Sequence, residues 1–354
     1  MSMAYVNRIA TAVPPHDIHQ RFLGFAQSLL GESCRRSLLF RRMAERAGIE
    51  HRYSYVLPTG HVEGEAEAFY RRGGFPDTAA RMRTFEALAP ELAVAAVEKL
   101  DLGEERDRIT HLLITCCTGM SAPGLDFELI ERCRLNPSIE RTMIGFMGCA
   151  AAINALKLAR HIVRSDQRAR VLVLNLELCT LHLQESTDLE QILSFLLFAD
   201  GCAASLVSAE PQGVALESFH ALRVPDTNNL ITWNVREQGF DMVLSGQVPA
   251  TIQASLPRYA TEILAGAPVS SIDLWAVHPG GRTVLDAVER AFDLAPAALQ
   301  ASRDILRRYG NMSSATVMFV LDALMRKATQ GATGCAMAFG PGLVTETMRF
   351  RAIG

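Results

Sequence analysis

Between Ala150 and Val163 the chain is apolar almost all round a helical turn, with Ala151, Ala152, Ile153, Ala155, Leu156, Leu158, Ala159 and Ile162 in between. A helix with no polar face is buried rather than laid on a surface. It starts at Cys149 from a glycine turn, Gly145 to Gly148, which follows a short strand at Thr142-Met143-Ile144. A polar loop then leads to a buried strand at Val171–Leu176. The second half repeats the pattern. Asn311 precedes an apolar helix from Ser313 to Lys327, followed by a buried strand from Gly334 to Phe339. Cys149 lies 22 residues before Val171, and Asn311 lies 24 residues before Cys335. Two units of turn, buried helix, loop and buried strand suggest an internal duplication.

Other segments agree with an alternating α/β chain. Residues 17–31, 36–47 and 123–133 read as helices, and the stretch from Met1 to Val13 reads as a first strand closed by Pro14-Pro15. Residues 78–100 form a long amphipathic helical pattern interrupted by Pro90. His111–Cys116 and Leu274–Val277 read as buried strands, and Thr283–Ala291 as a helix. Two halves are expected, 1–210 and 211–354, with the seam near Ala209–Gly213 and no linker-like segment between them.

Composition narrows the function classes. Apolar residues make up 49% of 354 residues, enough for a large core. A net charge of −3 gives no broad attraction for nucleic acid or an anionic membrane. There is no 18-residue apolar run to span a bilayer, and no signal peptide is read at the N-terminus. The eight cysteines (Cys34, Cys116, Cys117, Cys133, Cys149, Cys179, Cys202 and Cys335) include no C-x-x-C pair. Structural zinc and a disulfide framework are therefore not expected, and a reducing, cytoplasmic setting is.

Three residues stand where chemistry could occur. Cys149 begins a helix after Gly148, where unpaired backbone N–H groups and the helix dipole favour thiolate. An inert buried cysteine has the same sequence pattern. His278 ends a buried strand and meets the sharp turn Pro279-Gly280-Gly281. It is suited to proton handling, though a satisfied core histidine reads alike. His51, His61, His111, His161 and His220 lack such a setting. Asn311 follows Gly310 and opens an apolar helix. It is an ordinary N-cap or, alternatively, an amide donor to a developing oxyanion.

The three together, 129 and then 33 residues apart, resemble the catalytic set of the type III polyketide synthases. These form the chalcone/stilbene synthase family of the thiolase superfamily. Phe198-Ala199-Asp200-Gly201, Val277-His278-Pro279-Gly280-Gly281, Gly310-Asn311-Met312-Ser313-Ser314-Ala315 and Phe339-Gly340-Pro341-Gly342-Leu343 occur in the family's order over nearly the whole chain. The resemblance implies an α/β thiolase-like fold with duplicated layers, α-β-α-β-α. It implies a homodimer that loads an acyl-CoA starter on Cys149 and extends it with malonyl-CoA. His278 and Asn311 would promote decarboxylation. Phe198 would be a gatekeeper, and Arg42 and Arg46 would meet CoA phosphates. Ser313, His182, Trp233 and Met242 would line the cavity. No cofactor beyond CoA thioesters and no carrier protein are implied, and the chain has no Asp-Ser-Leu tripeptide.

Departures from plant relatives resemble the bacterial branch. Leu39 replaces a basic CoA contact, Met242 a second gatekeeper phenylalanine and Trp233 a small residue. Ala122 replaces a methionine at the dimer interface, and Ala338 a glycine before Phe339. The implied product is an alkylresorcinol, alkylpyrone or phloroglucinol-type compound. Two other readings are a ketoacyl-ACP synthase III and a non-catalytic subunit of the same fold.

Overall fold

The structure, a computed structural model, describes residues 3–31, 35–57 and 69–353; Cys34 and His61 lie outside them. The first half runs β1 (Tyr5–Ala12), β2 (His16–Asp17), α1 (His19–Leu30), α2 (Arg35–Ala47), β3 (Tyr53–Ser54) and α3 (Thr78–Lys99). It continues with β4 (His111–Cys116), α4 (Leu125–Arg132), β5 (Glu140–Gly145), α5 (Ala151–Ser165), β6 (Val171–Leu178), α6 (Leu189–Leu197) and β7 (Asp200–Ser208). The second half begins with β8 (Val214–Arg223), β9 (Ile231–Arg236), β10 (Gly239–Leu244), α7 (Val248–Ser255) and α8 (Ala260–Ile263). Then come β11 (Leu274–Val277), α9 (Arg282–Ala291), α10 (Gln300–Tyr309), α11 (Thr316–Met325), β12 (Thr333–Gly340) and β13 (Val344–Ala352).

Nine strands join in the order β11-β12-β13-β8-β1-β7-β6-β4-β5, with β4 parallel to β5 and β6, and β11 parallel to β12. The two-residue alternation of each strand divides its side chains between layers. Leu112, Ile114, Leu172 and Leu174 face an outer layer containing Phe22, Phe40, Phe85 and Leu129 of α1 to α4. Leu113, Val171 and Val173 face the opposite way, into a central layer with Ala155 and Leu156 of α5 and Phe319 and Val320 of α11. From the other half, Ala276 and Ala336 enter that same central layer. Trp275, Val277 and Met337 turn outward to Val248 of α7 and Leu285 of α9. Helices α5 and α11 therefore touch strands from both halves, and the stack is α-β-α-β-α.

The structure departs from the sequence reading at several points. Helix α3 runs unbroken through Pro90. The lost hydrogen bond and ring clash cost about 3 kcal/mol. Phe85 and Ala89 before Pro90, and Leu92, Ala93 and Ala96 after it, are all buried in one outer layer, and that shared burial outweighs the break. Cys149 and Ser313 lie on single 3₁₀ turns, Gly148–Ala150 and Ser313–Ala315, that lead into α5 and α11. The hairpin β9–β10 was not anticipated, and it carries Trp233 directly opposite Met242. The seven described cysteines are free. No described helix is long and apolar enough to cross a membrane.

Candidate active site

The turns that open the two central helices meet, and the cavity lies where they meet. Gly148 has φ +58°, and a Cβ there would stand 2.5 Å from Cδ of Pro341. Only glycine lets the Cys149 turn rest on the Gly340-Pro341-Gly342 turn. Ser313, at φ +47°, is a non-glycine residue in the left-handed region, a strain held by its surroundings. Oδ1 of Asn311 accepts the Ser313 N–H at 2.8 Å, and the Thr316 hydroxyl donates to the Ser313 carbonyl at 2.9 Å. Ser313 Oγ thereby comes to 3.7 Å from Sγ of Cys149.

Cys149, His278, Asn311, Ser313, Phe198, Trp233 and Met242 line one cavity of about 760 Å³, its open mouth included. Cys117, Thr118 and Cys179 also line it. His278 directly follows β11, and its backbone N–H is tied to the Met337 carbonyl at 2.7 Å. Its side chain is buried, yet neither ring nitrogen has a protein partner. Because Oδ1 of Asn311 is engaged by Ser313, its Nδ2 is the donor that reaches the cavity, shared between the Cys149 thiol and a 3.4 Å contact to the Gly280 carbonyl.

Electrostatics correct one expectation. The glycine turn and helix start were expected to favour thiolate. Cys149 keeps part of its surface accessible, but it lies deep among protein atoms, and burial pushes its thiol up to about 12. Hydrogen bonding to Ser313 and Asn311 draws it back only in part. Burial also holds His278 down to about 3, so the resting pair is a neutral thiol and a neutral imidazole.

Other expected site residues fall in different places. His182 does not face the cavity. It is fully buried, with Nε2 hydrogen-bonded to the Thr118 carbonyl at 2.7 Å and Nδ1 accepting the Phe240 N–H at 3.0 Å. Its ring stacks on Phe240 and meets Trp233 edge-on at 5.3 Å, so it braces the wall from behind. Trp233 donates its indole N–H to the Cys117 carbonyl at 2.7 Å, which ties the hairpin across the cavity. Arg42, Arg46 and Leu39 are exposed on α2 and none of them lines the cavity. The Arg46 carbonyl accepts from Arg282, which follows the His278 turn.

Glu177 was missed, although an acid inside a fully buried strand is a legible signal. Its carboxylate accepts the Cys117 N–H and the hydroxyls of Thr118 and Ser314 at 3.0, 2.9 and 2.7 Å. It thus braces two walls of the cavity. Among the described residues no group of three or more His, Cys, Asp and Glu is gathered to hold a metal ion.

Comparison with known proteins now decides the family. The sequence model for chalcone and stilbene synthases, N-terminal domain, matches residues 2–211, and that for the C-terminal domain matches residues 216–354. The chain belongs to the chalcone and stilbene synthase family. It is 33% identical to bisdemethoxycurcumin synthase of Oryza sativa subsp. japonica, covering 99% of this chain and 92% of that protein. It is 34% identical to the alpha-pyrone synthesis polyketide synthase-like Pks18 of Mycobacterium tuberculosis, covering 76% and 72%. The C-terminal type III polyketide synthase domain of Steely1 from Dictyostelium superposes with a TM-score of 0.90 at 25% identity, over 99% of this chain and 100% of that one. PKS-I of the brown alga Ectocarpus siliculosus superposes at 0.87 and 28%, over 100% and 99%. The fold is thiolase-like, and the chain is a condensing enzyme of the type III polyketide synthase family.

Glu177 gives this family member a pH signature. Burial raises its carboxyl from 4.5 to about 7. Between those values the folded chain keeps a proton that the unfolded chain has released, so stability falls as pH rises through this window and is level above it. Asp200, also raised to about 7 by burial, adds to the same fall. Glu177→Gln removes one share. Its melting temperature is expected to drop less than wild type between pH 5 and pH 8, and equal drops would contradict the assignment.

Proposed function

We propose that the enzyme transfers an acyl group from a CoA thioester to Cys149 and extends it by decarboxylative condensation with malonyl-CoA. In the first step Cys149 Sγ forms a bond to the acyl carbon, the C–S bond to CoA breaks, and CoA leaves with the proton that Sγ gives up. His278 is the buried base in the same cavity that can carry that proton. In the second step malonyl-CoA loses carbon dioxide, and the electron pair remains as an enolate. Its oxyanion takes hydrogen bonds from His278 and from Nδ2 of Asn311. The enolate carbon then attacks the acyl group, and the Cys149 thiolate leaves. Atoms and electrons balance with CoA thioesters alone.

The observation that carries this reading is a fully buried imidazole with no protein partner, in one cavity with an amide donor and a thiol. Buried polar groups left unpaired by the fold are kept where something else binds them. Phe198 and Met242 would then gate the cavity, and Trp233 would limit the room for chain growth. The released product would be of the alkylresorcinol, alkylpyrone or phloroglucinol type. Arg42 and Arg46 would meet the CoA phosphates. The halves 1–210 and 211–354 would each supply part of the catalytic set, and a cytoplasmic setting suits CoA esters.

The reading includes a homodimer. Strand β5 is an open sheet edge, exposed along nearly its whole length, with Met120, Phe127, Met143 and Met147 exposed around it and Ala122 nearby. An apolar open edge is ordinarily covered. Light scattering should give twice the chain mass of 38.7 kDa; a single-chain mass would rule the dimer out.

The catalytic reading is tested on malonyl-CoA alone. Wild type should release carbon dioxide, and His278→Ala and Asn311→Ala should each release it about 10²–10³-fold more slowly, the loss typical of one oxyanion donor. Wild-type rates in both variants would overturn the assignment.

A further inference from the structure

We infer that Arg52 is a positioning residue, whose buried guanidinium holds the backbone on either side of Phe198 and through it sets the pose of the Asn311 amide in the cavity. The inference rests on the proposed role of Asn311 as an oxyanion donor.

Helix α6 ends at Leu197, and its last carbonyls have no partner within the helix. They are buried, so donors must come from elsewhere. Arg52 supplies them. Its Nη1 donates to the Phe195 carbonyl at 2.9 Å and to the Phe198 carbonyl at 2.7 Å. Its Nε donates to Nδ1 of His19 at 3.1 Å, and its plane lies over the Phe22 ring at 4.5 Å. The side chain is fully buried, and no carboxylate forms a salt bridge with it among the described residues. A cation is well placed at a helix C-terminus, where the dipole is negative.

The same short segment is held from the other side by the backbone of Asn311. The Asn311 N–H donates to the Leu197 carbonyl at 2.8 Å, and the Asn311 carbonyl accepts the Ala199 N–H at 2.9 Å. Phe198 thus sits between two bonds to Asn311 while its own carbonyl is held by Arg52. Gly310 closes the arrangement. It has φ +70°, and a Cβ there would stand 2.8 Å from Cγ of Arg52 and 2.8 Å from the Leu197 carbonyl oxygen. The residue before the amide donor therefore rests directly on the arginine stem. A fork with fixed planar geometry can bond two carbonyls and an imidazole together, whereas lysine offers a point charge on a flexible chain. A small displacement of Asn311 Nδ2 acts chiefly on the enolate, because the turn that carries Cys149 is held separately, by the close packing of Gly148 on Pro341.

Arg52→Lys and His19→Leu test this, each read in two assays: carbon dioxide release from malonyl-CoA, and acylation of Cys149 by an acyl-CoA. Arg52→Lys should lower kcat for decarboxylation by about 10–100-fold, the usual cost of a misplaced reacting group, with KM for malonyl-CoA and the acylation rate within a few-fold of wild type. His19→Leu, which keeps the guanidinium but removes one anchor, should lower kcat in the same direction by less. In an Asn311→Ala background the loss from either change should vanish, because the group it positions is gone. The inference is overturned by decarboxylation equal to wild type, by the same fold-loss with and without Asn311, or by equal losses in both assays. If Arg52→Lys does not fold, His19→Leu decides by the same criteria. Wild type that releases no carbon dioxide would instead defeat the proposed reaction itself.

Discussion

Two helices whose first turns are buried between the strands of both halves govern this molecule. α5 turns Lys157 and Arg160 toward Glu346 and the Leu216 and Glu217 carbonyls, but Ala150–Ile153 at its start and Thr316–Leu321 of α11 are buried, so each helix lies between strands of the first half and strands of the second. Once both occupy the central layer, their opening turns come together. Cys149 leads one turn and Ser313 the other, and the 3.7 Å between their side chains is a direct result. The site is thus a by-product of how the core closes, and its elements are as rigid as the core itself.

The same enclosure sets the chemistry. A dry cavity favours neutral groups, which holds the thiol high and the imidazole low. Burial in this cavity therefore works against a thiolate at rest. Under the proposed reaction the proton moves when a thioester arrives, and the imidazolium and leaving group then share the charge. The same low dielectric strengthens each donor aimed at an enolate oxygen. Supporting contacts sit one step behind the surface: Glu177 joins the turn after β4 to Ser314, His182 backs Trp233, and Arg52 caps the helix end that carries Phe198.

What was legible in the sequence had local punctuation. Cys149, His278 and Asn311 each stand at a glycine-marked end of an apolar element, and the buried strands at 111–116 and 274–277 carry the short apolar runs Leu112-Leu113-Ile114 and Leu274–Val277. What was not legible depends on partners far along the chain. His182 was read as a cavity wall because spacing cannot say which side of a wall a residue occupies. Arg52 lies in the polar run Glu50-His51-Arg52, which looks like a solvated turn, and its burial comes from carbonyls more than 140 residues away. Pro90 looked like a helix break because tertiary burial on both sides of it has no local trace. The hairpin β9–β10 was missed although Ile231-Thr232-Trp233-Asn234-Val235-Arg236 alternates apolar and polar residues, because its two-residue turn, Glu237-Gln238, has none of the usual hairpin-turn residues.

Three cysteines, Cys117, Cys149 and Cys179, line the cavity, and only one of them opens a central helix. The most direct test of the account is to expose the wild-type enzyme to an acyl-CoA without malonyl-CoA, quench, digest and locate the acyl group by mass spectrometry. The account predicts one acyl group per chain, in thioester linkage, on the peptide containing Cys149. An acyl group on Cys117 or Cys179, or a chain that remains unacylated by every short and long acyl-CoA tried, would contradict it.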